Sequence, residues 1–216
     1  MRRSALKSDM DRAVWTPTYT ATDVRIDSRH LHYQGFCQIE QVKLAHRLFD
    51  QDAFSPVLTR ELVIRRPAVG VLIHDPSRCE CLLIEQWRVG AMDDPISAWQ
   101  LEVVAGLIDD GETPEQAAIR EAHEETGVTI DQLQLLHRFY PSAGACNEFF
   151  HLYTATADLS QAGGIHGAVD EGENIRVHVM PYDAIDTLLN SGRLANAPVI
   201  IALQWLNIQH GVHPTG

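Results

Sequence analysis

Three glutamates in one short stretch, Glu121, Glu124 and Glu125, are the residues of this 216-residue chain best suited to chemistry. On a helix, Glu121 and Glu125 would stand about 40° apart around the axis, with Glu124 about 60° from Glu121 on the other side, since each residue advances about 100°. The three carboxylates then share one face. Like charges at that spacing repel by roughly a few tenths of a kcal/mol per pair, so the arrangement is unfavourable unless a cation joins it. Hard oxygen donors on a rigid helix suit a divalent ion of the Mg²⁺ or Mn²⁺ type, which retains waters and accepts phosphate oxygens in its remaining positions. The ordinary alternative for a Glu-Glu pair is a solvated acidic helix face.

A solvated face does not account for the neighbours, which stand at fixed offsets: Gly106-x5-Glu112-x7-Arg120-Glu121-Ala122-His123-Glu124-Glu125-Thr126-Gly127-Val128. This pattern resembles the signature of the Nudix hydrolase family at every defined position. The resemblance implies an α+β fold, a Nudix α/β/α sandwich with a mixed sheet. It also implies hydrolysis of a nucleoside diphosphate linked to another group, with Mg²⁺, or Mn²⁺ in its place, held by the helix carboxylates. By the same resemblance Glu121 and Glu125 are catalytic metal ligands, Glu124 a further ligand, the carbonyl of Ala105 another, and Glu112 a loop–helix contact. Arg120 is read as structural, pairing with a carboxylate and orienting it.

Outside this stretch, Leu83-Ile84-Glu85-Gln86-Trp87-Arg88, Leu101-Glu102-Val103-Val104-Ala105-Gly106 and Gly172-Glu173-Asn174-Ile175 are similar to the bacterial ADP-ribose pyrophosphatase subfamily, in the same order, from about residue 23 to 208. The similarity implies substrate contacts from Arg88, from Arg60 and Phe36 across a homodimer with an intersubunit active site, and from Glu148 near the terminal ribose. It implies that the acidic loop Asp170-Glu171-Gly172-Glu173 supplies the general base, Glu171, and a metal contact, Glu173. The glycines Gly163, Gly164, Gly167 and Gly172 suit such a loop to closure as well as to plain surface mobility. One departure concerns Pro141-Ser142-Ala143-Gly144, where the relatives usually carry Ser-Pro-Gly. It keeps GDP-mannose or ADP-glucose open beside ADP-ribose. A catalytically silent nucleotide-sensing domain is a further alternative, although the carboxylates are all present.

The elements that must position these residues are partly visible. Thr113 as N-cap, Pro114 at the first helical position and Gly127 as left-handed C-cap bound a helix. Ala68 to Ile73 and Cys81 to Arg88, parted by the turn-rich His74-Asp75-Pro76-Ser77-Arg78, predict a hairpin. Trp99 to Ala105, Gln134 to Tyr140, Phe149 to Ala157 and Ile175 to Met180 predict further strands, and Gln161 to Asn174 a loop. Pro181 to Asn190 and Pro198 to Gln209 predict closing helices, the second with Ile200, Ile201, Leu203, Leu206 and Ile208 for burial. Upstream, Val24 to Ile26, Phe36 to Leu44 and Arg60 to Arg66 are strand-like. Residues 1–58 are expected to form an N-terminal β-rich dimerisation domain, and 59–216 the Nudix domain.

Composition limits the partners. Seventeen Lys and Arg against 29 Asp and Glu leave a net charge of −12. That field repels phosphate backbones and anionic lipid, so nucleic acid and membrane are not expected partners. A small-molecule nucleoside diphosphate sugar would need a local cation to overrule the field. Four cysteines, Cys37, Cys79, Cys81 and Cys146, do not make a disulfide scaffold, and Cys79 and Cys81 are read as strand cysteines rather than half of a zinc site. Met1 to Lys7 carries the charge of a signal peptide without an apolar stretch behind it, and no apolar run reaches the ~18 residues of a membrane helix, so the expected location is cytoplasmic.

Overall fold

The structure, a computed structural model, describes residues 15–168 and 172–210. The chain divides into two compact units, residues 1–63 and 64–216, with the division falling where the third strand ends. The N-terminal unit is a three-stranded sheet in the order β1 (Val24–Gln34), β2 (Gln38–His46), β3 (Leu58–Ile64). β1 is far longer than the Val24 to Ile26 expected from sequence. It is exposed along its whole length, and its pairing with β2 slips at Asp27 and at His32. Each bulge inserts a residue and reverses the apolar alternation by which a strand is read. Arg25 stacks its guanidinium 3.7 Å from the Phe54 ring centroid.

The second unit opens with the expected hairpin, β4 (Ala68–Asp75) and β5 (Glu80–Trp87). It continues through β6 (Trp99–Glu102), β7 (Val104–Leu107), α1 (Pro114–Thr126), β8 (Leu133–Phe139), β9 (Phe150–Thr156), β10 (Gly164–His166), β11 (Ile175–Pro181), α2 (Ile185–Asn190) and α3 (Ala197–His210). The sheet runs β10-β11-β5-β4-β9-β8, with β6 on β5 and β7 on β4. β4 and β9 are parallel while their other recorded pairings are antiparallel, so the sheet is mixed.

Every residue of β4 is buried, because helices cover both faces. Val69, Val71 and Ile73 pack on the α1 side with Ala117, Ala118 and Ala122, whose small side chains let the helix lie close. Ala68 and Leu72 pack on the opposite side with Ile185, Leu203 and Leu206 from α2 and α3. The unit is an α/β/α sandwich.

Four local expectations need correction. The apolar run Trp99 to Ala105 is two strands, since Trp99–Glu102 pairs with β5 and Val104–Leu107 with β4. The segment Gln161 to Asn174 contains the short strand β10, held by pairing with β11 rather than by any local pattern. Ile208 on α3 is exposed, and Cys79 sits in the β4–β5 turn at φ 54° rather than in a strand, while Cys81 is buried in β5. All four cysteines are free.

Candidate active site

The phase of the acidic helix is set at its ends. The Thr113 hydroxyl accepts from the Gln116 N–H and the Gln116 side chain accepts from the Thr113 N–H, a reciprocal cap, and Gly127 closes the helix at φ 70°. With both ends fixed, the acids are ranked by depth. Glu125 is 2% exposed, Glu121 is partly buried and Glu124 is at the surface.

Glu125 has few donors for so deep a carboxylate. Its Oε2 accepts from the Ala105 N–H at 3.0 Å and its Oε1 from Gln86 Nε2 at 3.5 Å. Burial pushes its pKa well above the usual carboxylate range; the Ala105 N–H opposes this, and the charges of Glu121 and Glu173 add to it. Glu121 is also raised, first by burial, with Arg120 opposing and Glu124 and Glu173 reinforcing. Arg120 ties the group together, donating to Glu112 (2.9 Å from both Nε and Nη2), Glu121 (2.7 Å), Glu124 (3.2 Å) and the Leu107 carbonyl. Glu112, in the loop before the helix, also accepts from the Asp109 N–H, so its bonds from Arg120 join loop to helix. A Cβ at Gly106 would land on the Glu121 carboxylate, so the backbone must pass here without a side chain.

Across from this helix, at the end of β5, Arg88 pairs with Glu102 of β6: Nε lies 3.1 Å from both carboxylate oxygens and Nη2 2.6 Å from Oε2. Glu102 is 3% exposed and also accepts from Asn196 Nδ2 at 2.9 Å and Gln86 Nε2 at 3.4 Å. Arg88, Asp93, Asp94, Gln100, Glu102 and Asn196 line a cavity of about 440 Å³. Glu102, Gln86 and Asn196 carry no role expected from the sequence. The available signal was a carboxylate inside the apolar run Trp99 to Ala105, which must be neutralised if the run is buried.

The remaining expected site residues are spread more widely. Ala105 lies on β7 opposite Gly70 and touches Glu125 through its N–H. Glu173 exchanges bonds with Ala168, its Oε2 accepting from the Ala168 N–H and its own N–H donating to the Ala168 carbonyl. Glu171 lies outside the described residues. Glu148 faces Arg65, with Nε 2.9 Å from Oε2 in an ion pair whose angle is not that of a hydrogen bond. Arg60 and Phe36 belong to the N-terminal unit, both exposed, Phe36 in the turn between β1 and β2.

Glu121, Glu124 and Glu125 offer only carboxylate oxygens as ligands, and Glu125 is a buried carboxylate with no cation bonded to it among the described residues. That set fits a hard divalent metal. Among the described residues, no three His, Cys, Asp or Glu side chains are already gathered around one point. Arg120 holds Glu121 and Glu124 in the arrangement seen.

Residues 64–203 match the NUDIX domain family. The chain belongs to the Nudix family. It is 38% identical to an ADP-ribose pyrophosphatase of Escherichia coli K12 over 193 residues, covering 89% of this chain and 92% of that one. It is 35% identical to an ADP-ribose pyrophosphatase of Haemophilus influenzae over 195 residues, 89% of each. To a GDP-mannose pyrophosphatase of Escherichia coli O1:K1 it is 29% identical over 152 residues, 70% of this chain and 78% of that one. The Nudix match begins at Ile64, the first residue of the second unit. Among the described residues no helix is long and apolar enough to cross a membrane.

Proposed function

We propose that this Nudix enzyme hydrolyses the diphosphate bond of ADP-ribose to AMP and ribose 5-phosphate. The observation that carries the reading is the likeness to ADP-ribose pyrophosphatases over both units, against a shorter and weaker likeness to a GDP-mannose pyrophosphatase. The metal-holding residues are Glu121, Glu124 and Glu125, the Ala105 carbonyl, and Glu173 from the loop before β11. Held there, Mg²⁺, or Mn²⁺ in its place, would supply neutralisation of the diphosphate charge and a lowered pKa for a bound water. Arg88 binds a phosphate oxygen, for which a guanidinium's planar donors are suited. Glu171 takes the proton of the attacking water. Glu148 hydrogen-bonds the terminal ribose.

Arg60 and Phe36 act from the partner subunit of a homodimer formed by the N-terminal unit, expected to comprise residues 1–58. Support comes from Val24, Ile26, Leu31 and Tyr33, four large apolar side chains exposed along the edge strand β1. The expected location is the cytoplasm.

The test is a panel of nucleoside diphosphate sugars with Mg²⁺, following release of nucleoside monophosphate and sugar phosphate. ADP-ribose is expected to lead. Preference for GDP-mannose or ADP-glucose would overturn the substrate and leave the chemistry. Gel filtration showing a ~24 kDa species at micromolar concentration would remove the dimer, since the chain mass is 24.1 kDa.

A further inference from the structure

The Arg88 guanidinium is committed along one edge and open along the other. Nε and Nη2 donate to Glu102, whereas Nη1 has no hydrogen-bond partner among the described residues, and the side chain is 41% exposed where it lines the 440 Å³ cavity. Glu102 is held from three places: Arg88 and Gln86 at the end of β5, its own strand β6, and Asn196 just before α3. With both oxygens occupied, this carboxylate cannot turn. A free arginine side chain gives up rotamer entropy when a ligand fixes it. Here Glu102 has fixed it in advance, which is preorganisation.

Gln86 carries the connection further. Its Nε2 stands 3.4 Å from Glu102 and 3.5 Å from Glu125, so one amide with two N–H groups spans the two buried carboxylates. The orientation of the amide follows, because its oxygen would repel both acids.

We propose that Glu102 is a positioning residue, which presents the open edge of Arg88 to the anionic diphosphate and, through Gln86, sets that edge relative to Glu125. The proposal rests on the functional reading above and names a residue to which that reading gives no part. An arginine placed for ground-state binding moves KM, whereas a merely structural pair moves stability alone.

The experiment measures kcat and KM for ADP-ribose at saturating Mg²⁺ in wild type, R88A, E102Q and R88A/E102Q, with the arginine Nε–H resonances followed by NMR in each. E102Q is expected to raise KM about tenfold or more with kcat within about threefold, and to shift KM less than about twofold once Arg88 is gone. The Arg88 Nε–H resonance is expected to lose its protection from exchange in E102Q. E102D, which keeps the charge one methylene back, replaces E102Q if melting curves show that E102Q is not folded. A KM within twofold of wild type in E102Q, equal losses in both Arg88 backgrounds, or an unaltered Arg88 resonance would each overturn the proposal. A wild type inactive on every nucleoside diphosphate sugar is a distinct result, which removes the functional reading itself.

Discussion

Two glutamates, Glu102 and Glu125, are equally deep, at 3% and 2% exposure, and share the amide of Gln86, yet they are treated oppositely by their surroundings. Glu102 has an arginine across both oxygens and an asparagine beside it. Glu125 has one backbone N–H, that long amide contact, and acids for neighbours. Burial of a charge is tolerable when it is paired and hydrogen-bonded, and expensive otherwise. The first glutamate is therefore part of the structure's own charge balance. The second is left short of positive charge, at the place where a divalent ion and an anionic substrate meet in the proposed reaction.

E125Q is expected to lower kcat about a thousandfold, and also to raise the melting temperature in EDTA at pH 8 by ~2–4 °C for each kcal/mol of relieved burial. E102L removes the counterpart and is expected to do the reverse to stability, costing about 1–3 kcal/mol because Arg88 loses its partner. Thermal melts of the two variants side by side check both signs. Equal destabilisation would remove the distinction between the two acids.

G106A sharpens the same contrast. Its Cβ would displace the Glu121 carboxylate without touching Glu102. Activity is expected to fall by about 10–100-fold, as it does when a ligand's orientation is disturbed, with the Arg88–Glu102 pair intact. Steady-state kinetics across a Mg²⁺ titration would detect this as a raised metal requirement.

The smallest effect is on stability against pH. The pKa values of Glu121 and Glu125 in the folded protein are raised above the ordinary 4.5, so the stability tied to their protons is complete below pH 4.5 and is lost as pH rises through the folded values. In EDTA, their contribution to the melting temperature should therefore decline with rising pH over that range. Mg²⁺ should restore more at pH 8 than at pH 5, about 2.7 kcal/mol at a hundred times its dissociation constant. Scanning calorimetry with and without metal would show it, and a metal effect independent of pH would count against these carboxylates as ligands.

Much of the acidic helix was legible because its information is local. Thr113, Pro114 and Gly127 bound it, and the spacing of Glu121, Glu124 and Glu125 follows once it is bounded. The β4–β5 hairpin was legible for the same reason. β1 was not, since two bulges and full exposure leave no alternation to read, and β10 was not, since three residues acquire strand geometry only by pairing with β11. The division of Trp99–Leu107 into β6 and β7 depends on two different neighbouring strands, which no local pattern encodes.

The sequence by itself determined which residues could hold a metal, because ligand type and helical spacing are properties of neighbours in the chain. It also determined the family, through motifs whose spacing is set by a helix and its caps. Only the tertiary structure decided which of those acids is buried without a cation, and that Glu102, fourteen residues after Arg88, neutralises that arginine along one edge. Charge pairing across strands depends on register, burial on what packs above the sheet, and both are settled only when distant segments meet.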